Sequence, residues 1–377
     1  MRVLFCTWAW PTHYQPMVTL AWTFRAAGHD VRVASQPSLV PTIQASGMPA
    51  IAVGTDESLD PVVARLLAAD PHRRGDGKGS RTISAYAGIA SVMASPLLEL
   101  MRSWRPDLVV FEESTYAAAL VAAALGIPAV RHFWGVDILC QVRAFEAEAL
   151  EPVASRLGLS SVDTLGALTV DHCVPSLQLP GEFPRMHMRY VPFNGANVLP
   201  PWAAEPRRRP RICVTYGTTS NQLAHYEFVL DRIVRAVSAL PVEVVATVAG
   251  RDLDALGTLP DNVRVVERMP LHTLLPSCDL LISQAGPSTA LTAASCGTPQ
   301  LMIPQLPDQR VISIMVEAAG AGIKLDLDAA DGPAIRDAAS RILDTPTYAL
   351  AARRLADESR AQPSPAEVVT HLTTLAA

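Results

Sequence analysis

Lysine is almost absent. Lys78 and Lys324 are the only two, so nearly all of the 31 basic residues are arginine. Alanine, by contrast, is very common, and the pair of biases reads as genome composition rather than mechanism. With 36 acidic residues the formal charge is −5, which argues against a nucleic-acid surface. The six cysteines (Cys6, Cys140, Cys173, Cys213, Cys278, Cys296) are scattered and form no CxxC pair. Neither a zinc nor a disulfide framework is expected, and a reducing cytoplasm fits. The opening MRVLFCTWAW has one Arg and no small-residue cleavage site, so it is not read as a signal peptide. The Ala-rich uncharged run 114–130 is broken by Gly126 and Pro128. It reads as a buried helix followed by a strand, not as a membrane span.

The common nucleotide signatures are missing too. No GxGxxG follows the first strand, and GDGKGS lacks the adjacent Gly-Lys-Ser of a phosphate-binding loop. What remains is a chain of 377 residues, about twice the usual domain size, so two domains are expected. Strands are predicted at 2–7, 31–34, 49–53, 107–111 and 128–133. Helices are predicted at 16–27, ending at Gly28, and at about 82–104, with a polar, Gly-rich loop at 70–80. After the Pro- and Arg-rich stretch PPWAAEPRRRP (200–210) the alternation restarts. Strands follow at 211–216, 242–248, 263–267, 279–283, 300–303 and 322–325, with a helix near 226–240. Such alternation in both halves implies an α/β fold with two parallel, helix-covered sheets, whose ligands sit beyond the carboxyl ends of the strands. The predicted layout is a first domain over 1–199, a linker over 200–210, a second domain over 211–360, and a final helix over 361–377 packing back on the first.

LISQAGPSTALTAASCGTPQL (281–301) is a short apolar strand breaking into a helix at Gly, Pro, Ser and Thr. Free backbone N–H groups and the helix dipole at such a start suit a pyrophosphate; the plain alternative is that Ser and Thr only cap the helix. Asp-Leu-Asp occurs at 252–254 and 326–328. Either triplet could hold a divalent metal, but solvated loop charges are the preferred reading. His13, in the loop WPTHYQP after the first strand, has the chemistry of a general base, or it anchors the loop. Trp8, Trp10, Phe133 and Trp134 cluster at strand ends and suit a flat acceptor. Ordinary core packing is the alternative, equally for Trp22 and Trp104.

The continuation GTPQLMIPQLPDQR, then EAAGAGI, resembles the C-terminal signature of family 1 glycosyltransferases. Gly286, Thr289, Gly297, Pro299, Gln300, Asp308 and Gln309 match it. MRVLF, LAWTFRAAGHDVRVAS, RSWRPDLVVFE, RHFWGVDI, MRYVPFNGANVLPPW and PSPAEVV are similar to the actinobacterial branch that attaches deoxysugars to polyketides and macrolides. This resemblance covers essentially the whole chain. It implies the GT-B fold, two facing Rossmann-like doubly wound domains with a cleft between them. One departure stands out: Ser283 and Gln284 replace the family's two histidines, and Ala285 and Ser288 stand where glycine is usual.

The resemblance implies an inverting, metal-independent transfer of a deoxysugar from a dTDP-sugar to an aromatic polyketide-type aglycone, as an O- or C-glycoside. It implies donor contacts at Gly217, Thr218, Thr219, Met269, Gln284, Gly286, Ser288, Thr289, Asp308 and Gln309. Asp308 reads equally as the N-cap of the helix it opens. His13, oriented by Glu112 (with Glu113 as a competitor), and Asp137 become the candidate catalytic residues. Trp8, Trp10, Tyr14, Phe133 and Trp134 become acceptor contacts, with Tyr14 closing the pocket. No cofactor or metal is expected. The expected partners are a small-molecule aglycone and a nucleotide sugar, with no nucleic acid and no membrane span; an activator protein or a homodimer stays open. Two other readings also stay open: a degenerate, non-catalytic partner, favoured by Ser283-Gln284, and a sugar-nucleotide 2-epimerase of the same fold.

Overall fold

Short apolar runs become parallel strands in both halves of the chain. The computed structural model describes all residues except 57–77, 197, 206, 217–228, 249–255, 268 and 376–377. In the first half the order is β1 (Arg2–Cys6), α1 (Pro11–Ala26), β2 (Asp30–Ser35), α2 (Val40–Ala45), β3 (Ala50–Ala52), α3 (Lys78–Trp104) and β4 (Leu108–Glu112). There follow α4 (Tyr116–Leu125), β5 (Ala129–His132), α5 (Glu146–Arg156), β6 (Leu168–Asp171) and β7 (Arg185–His187). The strands pair in the order β3-β2-β1-β4-β5-β6-β7, all parallel. Sheets covered on both faces need strands that are apolar throughout, and LVVFE of β4 is buried at every position. Helix α4 (YAAALVAAAL) is apolar all round because it too is enclosed. It stops at Gly126, whose φ of 66° only glycine adopts freely.

The second half runs β8 (Arg211–Thr215), α6 (Leu230–Ser238), β9 (Glu243–Val248), β10 (Val263–Glu267), α7 (Leu271–Leu274), β11 (Leu280–Ser283) and α8 (Pro287–Cys296). Then come β12 (Gln300–Met302), α9 (Pro307–Ala318), β13 (Gly322–Lys324), α10 (Gly332–Asp344), α11 (Pro346–Arg360) and α12 (Pro365–Thr374). Its parallel sheet has the order β10-β9-β8-β11-β12-β13. The chain divides into two units, one of Met1–His172, Leu179–Arg189 and Gln362–Ala377, the other of Cys173–Gln178 and Tyr190–Ala361. Helix α12 belongs to the first unit and packs on α1. It starts with a capping box, in which Ser364 N–H donates to Glu367 at 2.7 Å and Glu367 N–H donates back to Ser364 Oγ at 3.3 Å.

Several boundaries differ from the sequence reading. Helix α1 begins at Pro11, not Pro16; both prolines suit a first turn, and Pro16 lies inside the helix. Lys78–Ser80 opens α3 instead of ending a loop. The 200–210 stretch is no free linker. Trp202 sits under the guanidinium groups of Arg264 (4.7 Å) and Arg211 (5.4 Å), and Arg207 pairs with Asp279. A large aromatic in a Pro-rich segment buries too much surface to be left loose. Within α3, Thr82–Trp104 is long and apolar enough to cross a membrane by length and composition alone; it packs on α4 and α5 in the core of the first unit.

Candidate active site

In a doubly wound sheet the strand order reverses at one point, and the loops leaving the two strands there diverge to open a crevice. In the first unit that point lies between β1 and β4. The register pairs Cys6 with Phe111, so the residues just beyond, Trp8 to His13 and Glu112 to Thr115, converge. His13 is in the first turn of α1, not in a loop, because Pro11 at N1 starts the helix two residues earlier. The helix fixes the imidazole more firmly than a loop would.

The ring is nearly enclosed, and His13 Nδ1 lies 3.0 Å from Glu112 Oε1. The carboxylate is itself held on every side. Oε1 also accepts from Ser114 N (3.1 Å) and Ser114 Oγ (2.9 Å), and Oε2 accepts from Ser114 Oγ (2.7 Å) and Thr115 Oγ1 (2.8 Å). A carboxylate can only accept, so Nδ1 of neutral His13 carries the hydrogen and Nε2 keeps its lone pair. Trp8 Nε1 lies 3.2 Å from His13 Nδ1 and 3.0 Å from Ser114 Oγ. Since Nδ1 is already a donor, the indole bond goes to Ser114. The result is a His–carboxylate dyad able to take a proton at Nε2. Ser114 and Thr115 were not singled out in the sequence, although the polar run EEST directly after an apolar strand is the signal that could have found them.

Glu113 is the non-competitor. Strand alternation sends it away from His13, and burial, then the Asp137 charge, push its carboxyl well above the usual range. Asp137 is held in an ion pair. Its side chain accepts from Cys140 N (3.1 Å), capping a short 3-10 turn, and is gripped by Arg143 at 3.2 and 3.1 Å. One nitrogen of Arg143 thus reaches both oxygens, and its charge favours the carboxylate form. Neighbouring His132 is fully buried, donates Nδ1–H to Phe133 O at 2.6 Å, and is driven down to about 4 by that burial. His172, stacked on it at 5.1 Å, is shifted in the same direction by burial.

The aromatic candidates separate. Trp8 and Trp10 stack at 5.3 Å, and Tyr86 of α3 meets Trp8 edge-on at 5.9 Å. Trp134 lies flat on His13, with centroids 4.4 Å apart and planes 15° apart. Tyr14 does not line this site. It is fully buried, its hydroxyl bonds Ser46 Oγ at 2.6 Å, and burial raises it to about 12. Phe133 is also core, fully buried beneath Arg131 (4.7 Å) and against Phe183. Tyr14 occupies a core-facing position of α1, and Phe133 turns into the core just past β5. Trp104 is buried under Arg32, whereas Trp22 is 40% exposed and donates to Ser46 O.

The second unit reverses its order between β8 and β11. Gly217, Thr218 and Thr219, after β8, lie outside the described residues, as does the Asp252–Asp254 triplet. After β11 the chain turns through Gln284 and Ala285 into α8, with Gly286 as N-cap, Pro287 at N1 and no side-chain cap. So the first-turn N–H groups are not taken by a cap, and the capping alternative fails for Ser288 and Thr289. Ser288 Oγ and Gln284 Oε1 are buried without a hydrogen-bond partner among the described residues. A half-turn of the Gln284 amide exchanges oxygen and nitrogen, so it can present a donor there. Ala285 has φ 61°, a left-handed conformation costly for any residue with a Cβ. Its N–H donates to Ser283 Oγ at 3.0 Å. Strain, orphaned polar atoms and an uncapped helix start thus coincide on five consecutive residues. These donors fit a diphosphate.

Met269 is nearly buried beside a cavity of about 190 Å³ lined by Val198, Leu199, Pro270 and His272. Asp308 is not an N-cap. Leu306 occupies that position, and Gln309 Oε1 accepts from Leu306 N (3.1 Å) and Gln305 N (2.9 Å), so its amide oxygen serves the helix start. Asp326 pairs with Lys324 at 2.8 Å. Among the described residues no cluster of three His, Cys, Asp or Glu side chains is placed to hold a metal ion.

Comparison with known proteins gives this geometry its setting. Residues 22–217 match the model of the erythromycin biosynthesis protein CIII-like N-terminal domain, and 231–375 match that of its C-terminal domain. The chain is 36% identical to 10-deoxymethynolide desosaminyltransferase of Streptomyces venezuelae, covering 100% of this chain and 97% of that one. It is 33% identical to aklavinone 7-beta-L-rhodosaminyltransferase of Streptomyces galilaeus, covering 100% and 96%. Among solved structures, spinosyn rhamnosyltransferase SpnG complexed with spinosyn aglycone superposes with a TM-score of 0.90 at 33% identity, over 99% of this chain and 100% of that one. Glycosyltransferase VinC in complex with dTDP gives 0.88 at 32% identity, over 100% and 99%. Two parallel-sheet α/β units of this kind are those of GT-B glycosyltransferases, and the chain belongs to the erythromycin biosynthesis protein CIII-like family, the glycosyltransferases of antibiotic biosynthesis.

Proposed function

We propose that the protein moves a deoxysugar from a dTDP-sugar to a hydroxyl of an aromatic, polyketide-type aglycone, with inversion and without a metal. The observation that carries this reading is the His13–Glu112 dyad, 3.0 Å apart and oriented so that Nε2 is the basic nitrogen. His13 takes the acceptor's proton as its oxygen attacks the anomeric carbon. The bond from that carbon to the diphosphate breaks on the opposite face, and dTDP leaves with the electron pair. Glu112 balances the imidazolium that forms. In the second unit, the uncapped start of α8, with Ser288 and Gln284, takes the charge gathering on the leaving diphosphate. That arrangement does by hydrogen bonds and dipole what a cation does elsewhere, which supports independence from metal. Support for dTDP comes from the dTDP-bound VinC neighbour. Support for a flat acceptor comes from Trp8, Trp10 and Tyr86 beside the dyad. The grip of Arg143 on Asp137 favours His13 over Asp137 as the base.

The test combines binding with turnover. Thymidine diphosphate raises the melting temperature more than UDP or GDP, since a ligand of the folded state stabilises it by RT ln(1 + [L]/Kd). The His13→Ala variant keeps that shift and loses transfer about 10²–10⁴-fold. Wild-type transfer survives EDTA. A His13→Ala enzyme that turns over normally sinks the base assignment. Activity lost in EDTA and restored by magnesium sinks the metal-free part.

A further inference from the structure

Trp134 was read as an acceptor contact, yet its indole face is occupied. The ring lies parallel to His13, 4.4 Å between centroids and 15° between planes, and Trp134 is only 6% exposed. From another side the Trp8 ring stands against the imidazole, at 5.0 Å and 74°. The loop carrying Trp134 is braced at both ends. On one side Arg131 lies over Phe133 and Phe183 at 4.7 and 4.4 Å. On the other Asp137 caps the turn at Cys140 and is clamped by Arg143. An indole so fixed does not need this orientation for burial alone; many poses bury a ring, and few put its π face flat on one imidazole.

A flat aromatic face carries a negative quadrupole and attracts a cation lying over it, Trp most strongly. We propose that Trp134 is a positioning residue for His13: its π face stabilises the imidazolium that forms when the histidine takes the acceptor's proton, and it holds the ring in the plane that keeps Nδ1 on Glu112. The inference rests on the reading of His13 as base. The carboxylate and the indole then act on the same cation from different directions, one along the Nδ1–H bond and the other normal to the ring. The charged groups around the imidazole are few. Glu112 of β4 touches it. His132 at the end of β5 and Glu113 also act on that carboxylate; burial lowers the first to about 4 and pushes the second well above the usual carboxylate range. No charged residue on α1 contacts the ring among the described residues.

The sign of the effect separates this from simple packing. If the indole stabilises the imidazolium, removing it makes His13 easier to deprotonate. The acid limb of kcat/KM against pH then moves to lower pH. If the indole only keeps water away, removing it hydrates the cation and the limb moves up. The experiment compares wild type, Trp134→Phe and Trp134→Leu, reading the His13 imidazole titration by NMR (assigned with His13→Gln) beside the pH profile of transfer. Expected for Leu is a downward displacement of the titration midpoint and of the acid limb by about 0.4 to 1 pH unit, and for Phe a smaller one. The plateau kcat of the Leu variant falls about 3- to 10-fold while KM for the nucleotide sugar holds. Should Leu not fold, the Phe variant carries the test, since its weaker quadrupole still predicts a downward step. An NMR midpoint that stays put or rises overturns the proposal. A midpoint that falls while the acid limb stays fixed upholds the stack and overturns the base reading instead.

Discussion

Replacing Glu112 with Gln removes one charge and little else, and the surrounding bonds say what that leaves. Ser114 N–H donates to Oε1 at 3.1 Å, and a backbone N–H cannot turn round to accept. The Gln carbonyl oxygen is therefore pinned at the Oε1 position, where His13 Nδ1 also donates. The new amide nitrogen falls at the Oε2 position, opposite the hydroxyls of Ser114 and Thr115, which can rotate to accept. The histidine tautomer thus survives, and only the charge balance for the imidazolium is lost. A hydrogen bond to a charged group is worth about 1.5–3 kcal/mol against about 0.5–1.5 for a neutral one. A loss of about 1 to 2 kcal/mol corresponds to a roughly 5- to 30-fold fall in kcat. Glu112→Ala also frees the tautomer and is expected to cost about 10²–10⁴-fold. The assay is single-turnover transfer with saturating donor, with the thermal shift by thymidine diphosphate as a control that the second unit is intact. A Gln variant as damaged as Ala would refute the pinning argument, and a fall of less than threefold would refute the electrostatic role of the carboxylate.

Two further predictions concern stability. Ala285→Gly relieves a left-handed φ of 61° and is expected to stabilise the fold by about 1 kcal/mol, a melting-temperature rise of about 2 °C at this chain length; an unchanged or lower value would show that the turn is not strained. His132 is expected to make the protein acid-sensitive. Its folded value of about 4 lies below the ordinary 6.5, so the unfolded chain binds the proton more readily. The contribution is fully present above 6.5 and is lost as pH falls toward 4, the loss reaching about 1.4 kcal/mol by pH 5.5 by the linkage relation. Denaturant midpoints measured from pH 7.5 to 5 should fall in wild type and fall less in His132→Asn, and parallel slopes would exclude His132 as the cause.

Much of the fold was legible because both sheets are parallel and enclosed: runs such as LVVFE and EVVATV are apolar at successive positions, and helices of contrasting periodicity separate them. The elements missed between 146 and 187 were illegible for a physical reason. β6 and β7 are four and three residues long, too short to show a period, and β7 is a half-exposed edge. At the site, His13 and Glu112 could be named because strand ends at a switch point are where chemistry gathers. Their separation, 99 residues in sequence, gave no hint of the bond between them. The side-chain directions of Asp137, Tyr14 and Phe133 were illegible for a shared reason. A residue type and a strand end do not say which way a side chain points, and these three turn inward to an arginine, a serine and a buried ring cluster. Ala285 held the opposite lesson. As an alanine in a glycine position it was visible in the sequence, but only the backbone angle turned the substitution into strain.

The chain changes unit four times, at 172/173, 178/179, 189/190 and 361/362. Each folding unit is therefore assembled from separated pieces of one polypeptide. The helix bearing His13 is buttressed by α12, which follows the whole of the second unit along the chain. For anyone splicing donor and acceptor specificities between relatives, a single junction near residue 200 is never a clean exchange. It hands the first unit a foreign helix α12 against α1, and leaves Cys173–Gln178 of the old protein inside the new second unit. A hybrid faithful to this architecture carries its first unit as three segments and its second unit as two.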